Sequence, residues 1–189
     1  MPRRLETTID GLALVEPDAH GDERGFLVET FREDVWRGLG VEAERFVQDN
    51  HSRSSLGTLR GLHFQTRPGQ AKLVRCVRGA VFDVAVDLRG GSPTFGRWEG
   101  YELSDSNHRQ LYVPVGFAHG FLVTSEVADV AYKLSSHYDP ETESGIAWDD
   151  PDVGVEWPVP EGAELQLSAR DRAAPRLAEV ADDLPWSEA

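Results

Sequence analysis

The sequence predicts an all-β domain of sandwich or barrel type, and three observations carry that expectation. Apolar residues come in short runs rich in Val, Phe and Tyr; the runs are closed by Gly, Pro, Asp or Ser; and helical periodicity is confined to two short pieces. At 189 residues the chain is long enough for one well-buried core, and no composition break divides it, so residues 1–189 are expected to form a single domain.

Taken in order, Phe31–Leu39 (FREDVWRGL) has the spacing of a short helix. KLVRCV, then Arg78-Gly79, then AVFDVAVDLR reads as a β-hairpin. RQLYV, Pro114-Val115-Gly116 and FAHGFLVTS read as two strands around a turn, and VADVAYKLSSHY supplies another strand. After Trp157 the chain turns polar and Pro-containing, with LSARD standing out, before a second helical piece in APRLAEVADDL.

Composition narrows the function. A formal net charge of −14 makes nucleic acid or an anionic membrane an unsuitable partner, so an anionic ligand needs a local cationic pocket. Cys76 is the only cysteine, which forbids an intrachain disulfide; in LVRCVRG it reads as a small core residue. No apolar run is long enough to span a bilayer, and the start MPRRLETTIDG has no apolar stretch after its arginines, which points to a soluble, cytoplasmic protein. There is no G-x-S-x-G, no P-loop and no G-x-G-x-x-G opening a helix, so the usual hydrolase, nucleotidase and dinucleotide chemistries are not encoded.

Polar groups inside strand patterns raise the functional question. In LRGLHFQ, Leu59 to Gln65, Arg60 and His63 differ in parity, and Gly61 between them is a candidate bulge that aims both inward. If Arg78-Gly79 is a hairpin turn, Val74 faces Asp83, and Lys72 and Asp83 are diagonal neighbours on one face with Val74, Cys76, Val81 and Ala85. Charges among such neighbours are expected to pair, as a structural ion pair or as part of a site. His20 and His108 read as solvated, and His51 and His137 lie near turn or loop residues without ligand spacing.

The stretch VPVGFAHGF, with His119 in a P-x-G-x-x-H arrangement, resembles the second motif of the cupin superfamily, where that histidine often ligates a metal. The first motif requires His-x-His, and this chain has HFQ there, with Gln65 in place of the second histidine, so no metal site is expected.

The blocks GDERGFLVETF, FVQDNHSRS, GTLRGLHFQ, QAKLVR, FDVAVDLR, PVGFAHGF, AYKLSSHYDPETESGIAWDDP and LSARD, from about Ile9 to about Leu177, resemble the dTDP-4-dehydrorhamnose 3,5-epimerase family. The resemblance implies a cupin-type jelly-roll barrel with a few short helices, a homodimer, and no metal or organic cofactor. It implies inversion at C3 and C5 of a dTDP-linked 4-keto-6-deoxyhexose; a C3-only or C5-only epimerase, or a non-catalytic sugar-nucleotide-binding cupin, are the alternatives. By the same resemblance His63 is the general base, Asp171 its orienting carboxylate, Tyr132 the acid across the sugar ring, and Lys72 the ammonium beside the enolate oxygen, held by Asp83. Arg24, Arg60 and Arg170 match positions near diphosphate and sugar. Glu29, Gln48, Asp49 and Asn50 match readers of base or hydroxyls; Phe26 and Tyr138 match stacking faces; and His119 and Glu143 match ligand-lining positions. The Arg24 to Glu29 segment is a candidate to act in a partner subunit's site.

Overall fold

Strand alternation builds the molecule. A computed structural model describes residues 2–42 and 46–186. Two antiparallel sheets face each other. The larger has the order β1 (Arg3–Leu5), β2 (Ala13–Glu16), β10 (Gln110–Val113), β7 (Lys72–Arg78), β12 (Val127–Leu134), β5 (Gln48–Ser55). The smaller runs β13 (Glu143–Gly145), β6 (Leu59–Gln65), β11 (Phe117–Val123), β8 (Ala80–Asp87), β9 (Trp98–Ser104). A separate two-stranded ribbon pairs β3 (Ala19–Asp22) with β4 (Gly25–Val28). Among the described residues helix is limited to α1 (Glu33–Gly38), α2 (Ala169–Arg172), α3 (Leu177–Val180) and a 3-10 turn at Ala181–Asp183. No described helix is long and apolar enough to cross a membrane.

Period-two alternation sorts the apolar side chains into three clusters. Between the sheets lie Leu14, Val74, Cys76, Leu111 and Val130 from one side and Val81, Ala85, Leu103, Phe117 and Phe121 from the other. The opposite alternates of the smaller sheet, among them Leu62, Phe64, Val84 and Val86, are covered by Ile146, Val153, Leu177 and Leu184 from the C-terminal third. On the outer face of the larger sheet, Trp36 of α1 packs with Val15, Leu73 and Tyr112. Cys76 is buried, as its neighbours implied.

The expected hairpin across Arg78-Gly79 does not form. β7 pairs with β10 and β12, whereas β8 pairs with β9 and β11 in the facing sheet. The reason is local. Gly79 has a φ of 75°, its N–H donates to Asp105 Oδ2 at 2.8 Å, and the Ala80 N–H donates to Ser125 Oγ at 2.8 Å. Side-chain acceptors thus take the turn's donors, and the chain crosses between sheets. The turn at Pro114-Val115-Gly116 likewise carries β10 of one sheet to β11 of the other. A further strand, β5, has the sequence QDNHSRSS, which carries no apolar residue and so escapes any hydrophobic pattern.

Candidate active site

Near the middle of the barrel the inward alternates change from apolar to polar. Cys76 and Val74 on β7 give way to Lys72, and Val130 on β12 to Tyr132. On β11 and β6 the inward groups include His119 and His63, and β5 contributes Gln48, Asn50 and Ser52. These residues line a cavity of about 570 Å³ together with Arg60, Gln70, Tyr138, Glu143, Ser168, Arg170 and Asp171.

The bulge expected at Gly61 is present. Arg60 pairs with Phe121 and His63 with His119, so β6 spends one residue more than β11 and both side chains reach the cavity. Gly61 has a φ of 137°, and a Cβ there would lie 2.5 Å from Gly120 Cα, so a side chain does not fit at this spacing.

His63 Nε2 lies 2.7 Å from Asp171 Oδ1. A carboxylate there accepts the Nε2 proton and leaves the lone pair on Nδ1. Asp171 is held in turn by α2, because its backbone N–H donates to the N-cap Ser168 Oγ at 3.0 Å. Burial lowers the His63 pKa below the usual imidazole value, opposed by the hydrogen bond and charge of Asp171; the charge of Lys72 lowers it further and that of Glu143 raises it. The ring is therefore neutral at physiological pH.

Lys72 is buried, and its Nζ donates to the His63 carbonyl at 3.2 Å. Burial pushes this ammonium down to about 8, with the charges of Asp83 and Glu143 holding it up. The expected Lys72–Asp83 pair needs correction. The two residues sit on facing sheets, not on one hairpin, and both Asp83 oxygens lie 3.0 Å from His119 Nε2. Asp83 acts on Lys72 through its field and holds His119 directly.

Glu143, on β13, joins three parts of the rim. It pairs with Arg170 of α2 and accepts the Tyr138 hydroxyl at 2.7 Å, while the Tyr138 N–H donates to Gln48 Oε1 at 2.9 Å. Burial would raise the Glu143 carboxyl, but the Arg170 and Tyr138 hydrogen bonds outweigh it and hold the group below the usual carboxylate range.

Four expected ligand residues do not reach this cavity in their own chain. Arg24 and Phe26 lie on the β3–β4 ribbon, Arg24 paired with Asp22 and Phe26 exposed; Glu29 follows the ribbon and pairs with Arg32 at 3.4 Å. Asp49 alternates away from Gln48 and Asn50 and pairs with Lys133 at 2.9 Å on the other face of β5. His51, expected near a turn, is also on that outer face of β5, 3.4 Å from Asp129. His108, expected to be solvated, packs against Phe26 in a tilted contact with ring centroids 4.7 Å apart; His20 is exposed. Sequence reasoning passed over Ser52, Gln70 and Ser168. Only Ser168 carried a signal, since Ser three residues before an acidic residue is an N-cap pattern. Among the described residues no three His, Cys, Asp or Glu side chains converge to hold a metal ion.

A profile of the dTDP-4-dehydrorhamnose 3,5-epimerase family matches residues 6–179. The chain belongs to this family. Its relatives include the dTDP-4-dehydrorhamnose 3,5-epimerase of Methanothermobacter thermautotrophicus, 51% identical over 170 residues, which is 90% of this chain and 91% of the relative. The dTDP-6-deoxy-D-glucose-3,5-epimerase of Legionella pneumophila, solved in complex with dTDP-4-keto-L-rhamnose, superposes with a TM-score of 0.95 at 48% identity, covering 100% of both chains. A 3'-monoepimerase from Streptomyces bikiniensis, in complex with dTDP-quinovose, has a TM-score of 0.87 at 39% identity over 95% of this chain and 90% of that one. The two facing sheets of this dTDP-4-dehydrorhamnose 3,5-epimerase family member form the cupin jelly roll expected from the sequence.

Proposed function

We propose that this protein is an isomerase that epimerises dTDP-4-dehydro-6-deoxy-D-glucose at C3 and C5, giving dTDP-4-dehydro-L-rhamnose. The observation that carries the proposal is the placement of His63, bonded to Asp171, on the smaller sheet, while Tyr132 and Lys72 enter the same cavity from the larger one. Both carbons flank the C4 ketone, so loss of either proton leaves an enolate. A base on one side of the ring and an acid on the other invert the centre when the proton returns from the opposite face. His63 takes the proton on Nδ1, Asp171 stabilises the imidazolium that results, and Tyr132 delivers from across the cavity. The Lys72 ammonium stabilises the enolate oxygen in a dry, low-dielectric setting.

The diphosphate and nucleoside occupy the outer part of the cavity, beside Arg60, Arg170, Gln48, Asn50 and His119, with Tyr138 as a stacking face. Arg60 is held for this by donating from Nε to Ser54 Oγ at 3.1 Å. In this proposal the protein is a homodimer, and Arg24, Phe26 and Glu29 serve the partner's cavity; the exposure of Phe26 and Leu27 on a ribbon that pairs with neither barrel sheet supports that arrangement. A cytoplasmic, reducing setting suits the lone Cys76 thiol, which burial pushes up to about 12.

Incubation with dTDP-4-keto-6-deoxyglucose in deuterated water, read by NMR, tests the reaction. Deuterium at both C3 and C5, with an L-rhamno product after reduction, is the expected result. Deuterium confined to C3 selects a mono-epimerase, the activity named for the Streptomyces relative. No exchange at either carbon on a folded protein that binds substrate rejects the enolate mechanism.

A further inference from the structure

We infer that Glu143 is a positioning residue for the His63–Asp171 pair, its carboxylate clamping the turn that carries Asp171 to the strand that runs beside His63. The inference deepens the proposed epimerase mechanism and rests on His63 being its base.

Three connections meet at this one side chain. Glu143 lies on β13, whose Gly145 pairs with His63 and whose Glu143 pairs with Gln65 on β6. The Cδ2 edge of the His63 ring lies against Gly145, 3.4 Å from where a Cβ there would stand. From this strand Glu143 reaches across to Arg170, the residue immediately before Asp171 in α2. With only four residues, α2 has little internal hydrogen bonding; the chain is tied to the barrel at Gln166 before it and at Pro175 after it, and between those points the Ser168 cap and the Arg170–Glu143 ion pair hold the turn. A second cavity of about 300 Å³ is also lined by these four residues, His63, Glu143, Arg170 and Asp171. The clamp is what keeps Asp171 Oδ1 at hydrogen-bonding distance.

A clamp and a mere nearby charge leave different signatures on His63. The charged groups acting on His63 are Asp171 from α2, Lys72 from β7 and Glu143 from β13; His119 of β11 is its register partner, itself bonded to Asp83 of β8. Glu143 raises the ring's pKa, and Arg170 partly neutralises Glu143. By charge alone, removing the acid and removing the base of this ion pair act on His63 in opposite directions. Loosening Asp171 lowers the ring's pKa in both variants, because Asp171 also raises it, and by more than Glu143 does.

The test uses full-length Glu143→Gln and Arg170→Gln, with the His63 imidazole followed by NMR in ligand-free protein and kcat/KM followed against pH. The expected result is that Glu143→Gln moves the ring's titration and the acidic limb to lower pH and lowers kcat about tenfold, the usual cost of losing an outer orienting partner. Arg170→Gln also moves both to lower pH, because the loosened Asp171 contact outweighs the freed charge of Glu143. An Arg170→Gln midpoint that stays fixed or moves upward, the outcome of charge acting without a clamp, overturns the inference. If Glu143→Gln fails to fold, Arg170→Gln decides alone: a downward shift supports the clamp, and a fixed or upward one rejects it. The NMR titration needs no turnover, so downward shifts of both variants in a protein that epimerises nothing refute the proposed reaction and leave the clamp standing. Fixed midpoints in an active epimerase do the reverse.

Discussion

Replacing Asp171 by asparagine exchanges one oxygen for an NH2 at the carboxylate that holds His63 Nε2 at 2.7 Å, in a side chain that is almost fully buried. Two losses follow. The imidazolium formed when the base takes a proton loses a charge-assisted hydrogen bond, worth about 1.5–3 kcal/mol. The carboxamide can also turn its NH2 toward Nε2, which stabilises the tautomer with its proton on Nδ1 and removes the lone pair on which the proposed proton abstraction depends. Together these amount to about 3–5 kcal/mol of transition-state stabilisation, or a fall in kcat of about 10²–10⁴. The volume hardly changes and the Ser168 cap to the Asp171 N–H is untouched, so the fold and dTDP affinity are expected to persist. Because Asp171 raises the His63 pKa, its loss also moves the acidic limb of the rate profile to lower pH. Initial rates by NMR, with dTDP binding by calorimetry as control, measure both effects. A folded Asp171→Asn enzyme within about fivefold of wild type would refute the assignment and point to another carboxylate.

Lys72→Met, which keeps the stem and removes the charge, is expected to cost at least about a hundredfold in kcat while leaving dTDP binding in place; calorimetry and steady-state rates check this. The wild-type profile is expected to be bell-shaped. His63 must be neutral, which holds above its depressed pKa, and Lys72 must be charged, which fails as pH rises through about 8; an alkaline limb well above pH 9 or absent would reject the role of Lys72. Tyr132→Phe keeps proton removal by His63 but weakens delivery from the opposite face, so solvent deuterium exchange should exceed net inversion in NMR time courses. Gly61→Ala drives a Cβ to 2.5 Å from Gly120 Cα at a φ of 137°, so a loss of about 2 kcal/mol or more is expected in urea unfolding, and an unchanged midpoint would mean the two strands separate easily.

The strands whose inward positions are apolar were legible because alternation records burial directly. β7, β8, β11 and β12 follow the runs KLVRCV, AVFDVAVD, FAHGFLV and VADVAYKL. Which strand pairs with which was not legible. Arg78-Gly79 has the length of a hairpin turn, but Asp105 and Ser125, far along the chain, claim its N–H groups and send β8 to the facing sheet. That misreading carried into the site, where Asp83 was matched to Lys72 although its oxygens bond His119. The bulge at Gly61 was legible because two polar residues of opposite parity in one strand have few ways to share a cavity. Glu143 as the link between α2 and β13 was not, since Arg170 lies 27 residues further along the chain and nothing local signals the contact.

The strand with no apolar residue has a consequence of its own. β5 closes one edge of the larger sheet, with β12 as its neighbouring strand, and its inward residues are Gln48, Asn50, Ser52 and Ser54. None belongs to a hydrophobic cluster, whereas His63, Lys72, His119 and Tyr132 stand on interior strands alongside core residues. Under the proposed function, the side chains on this edge that read the ligand are thereby separate from those that hold the barrel shut. Exchanges along this edge carry little folding penalty, so ligand preference is free to drift or to be selected in a library while the reacting groups stay where they are. A barrel organised in this way is one that descent can retarget by altering a single margin.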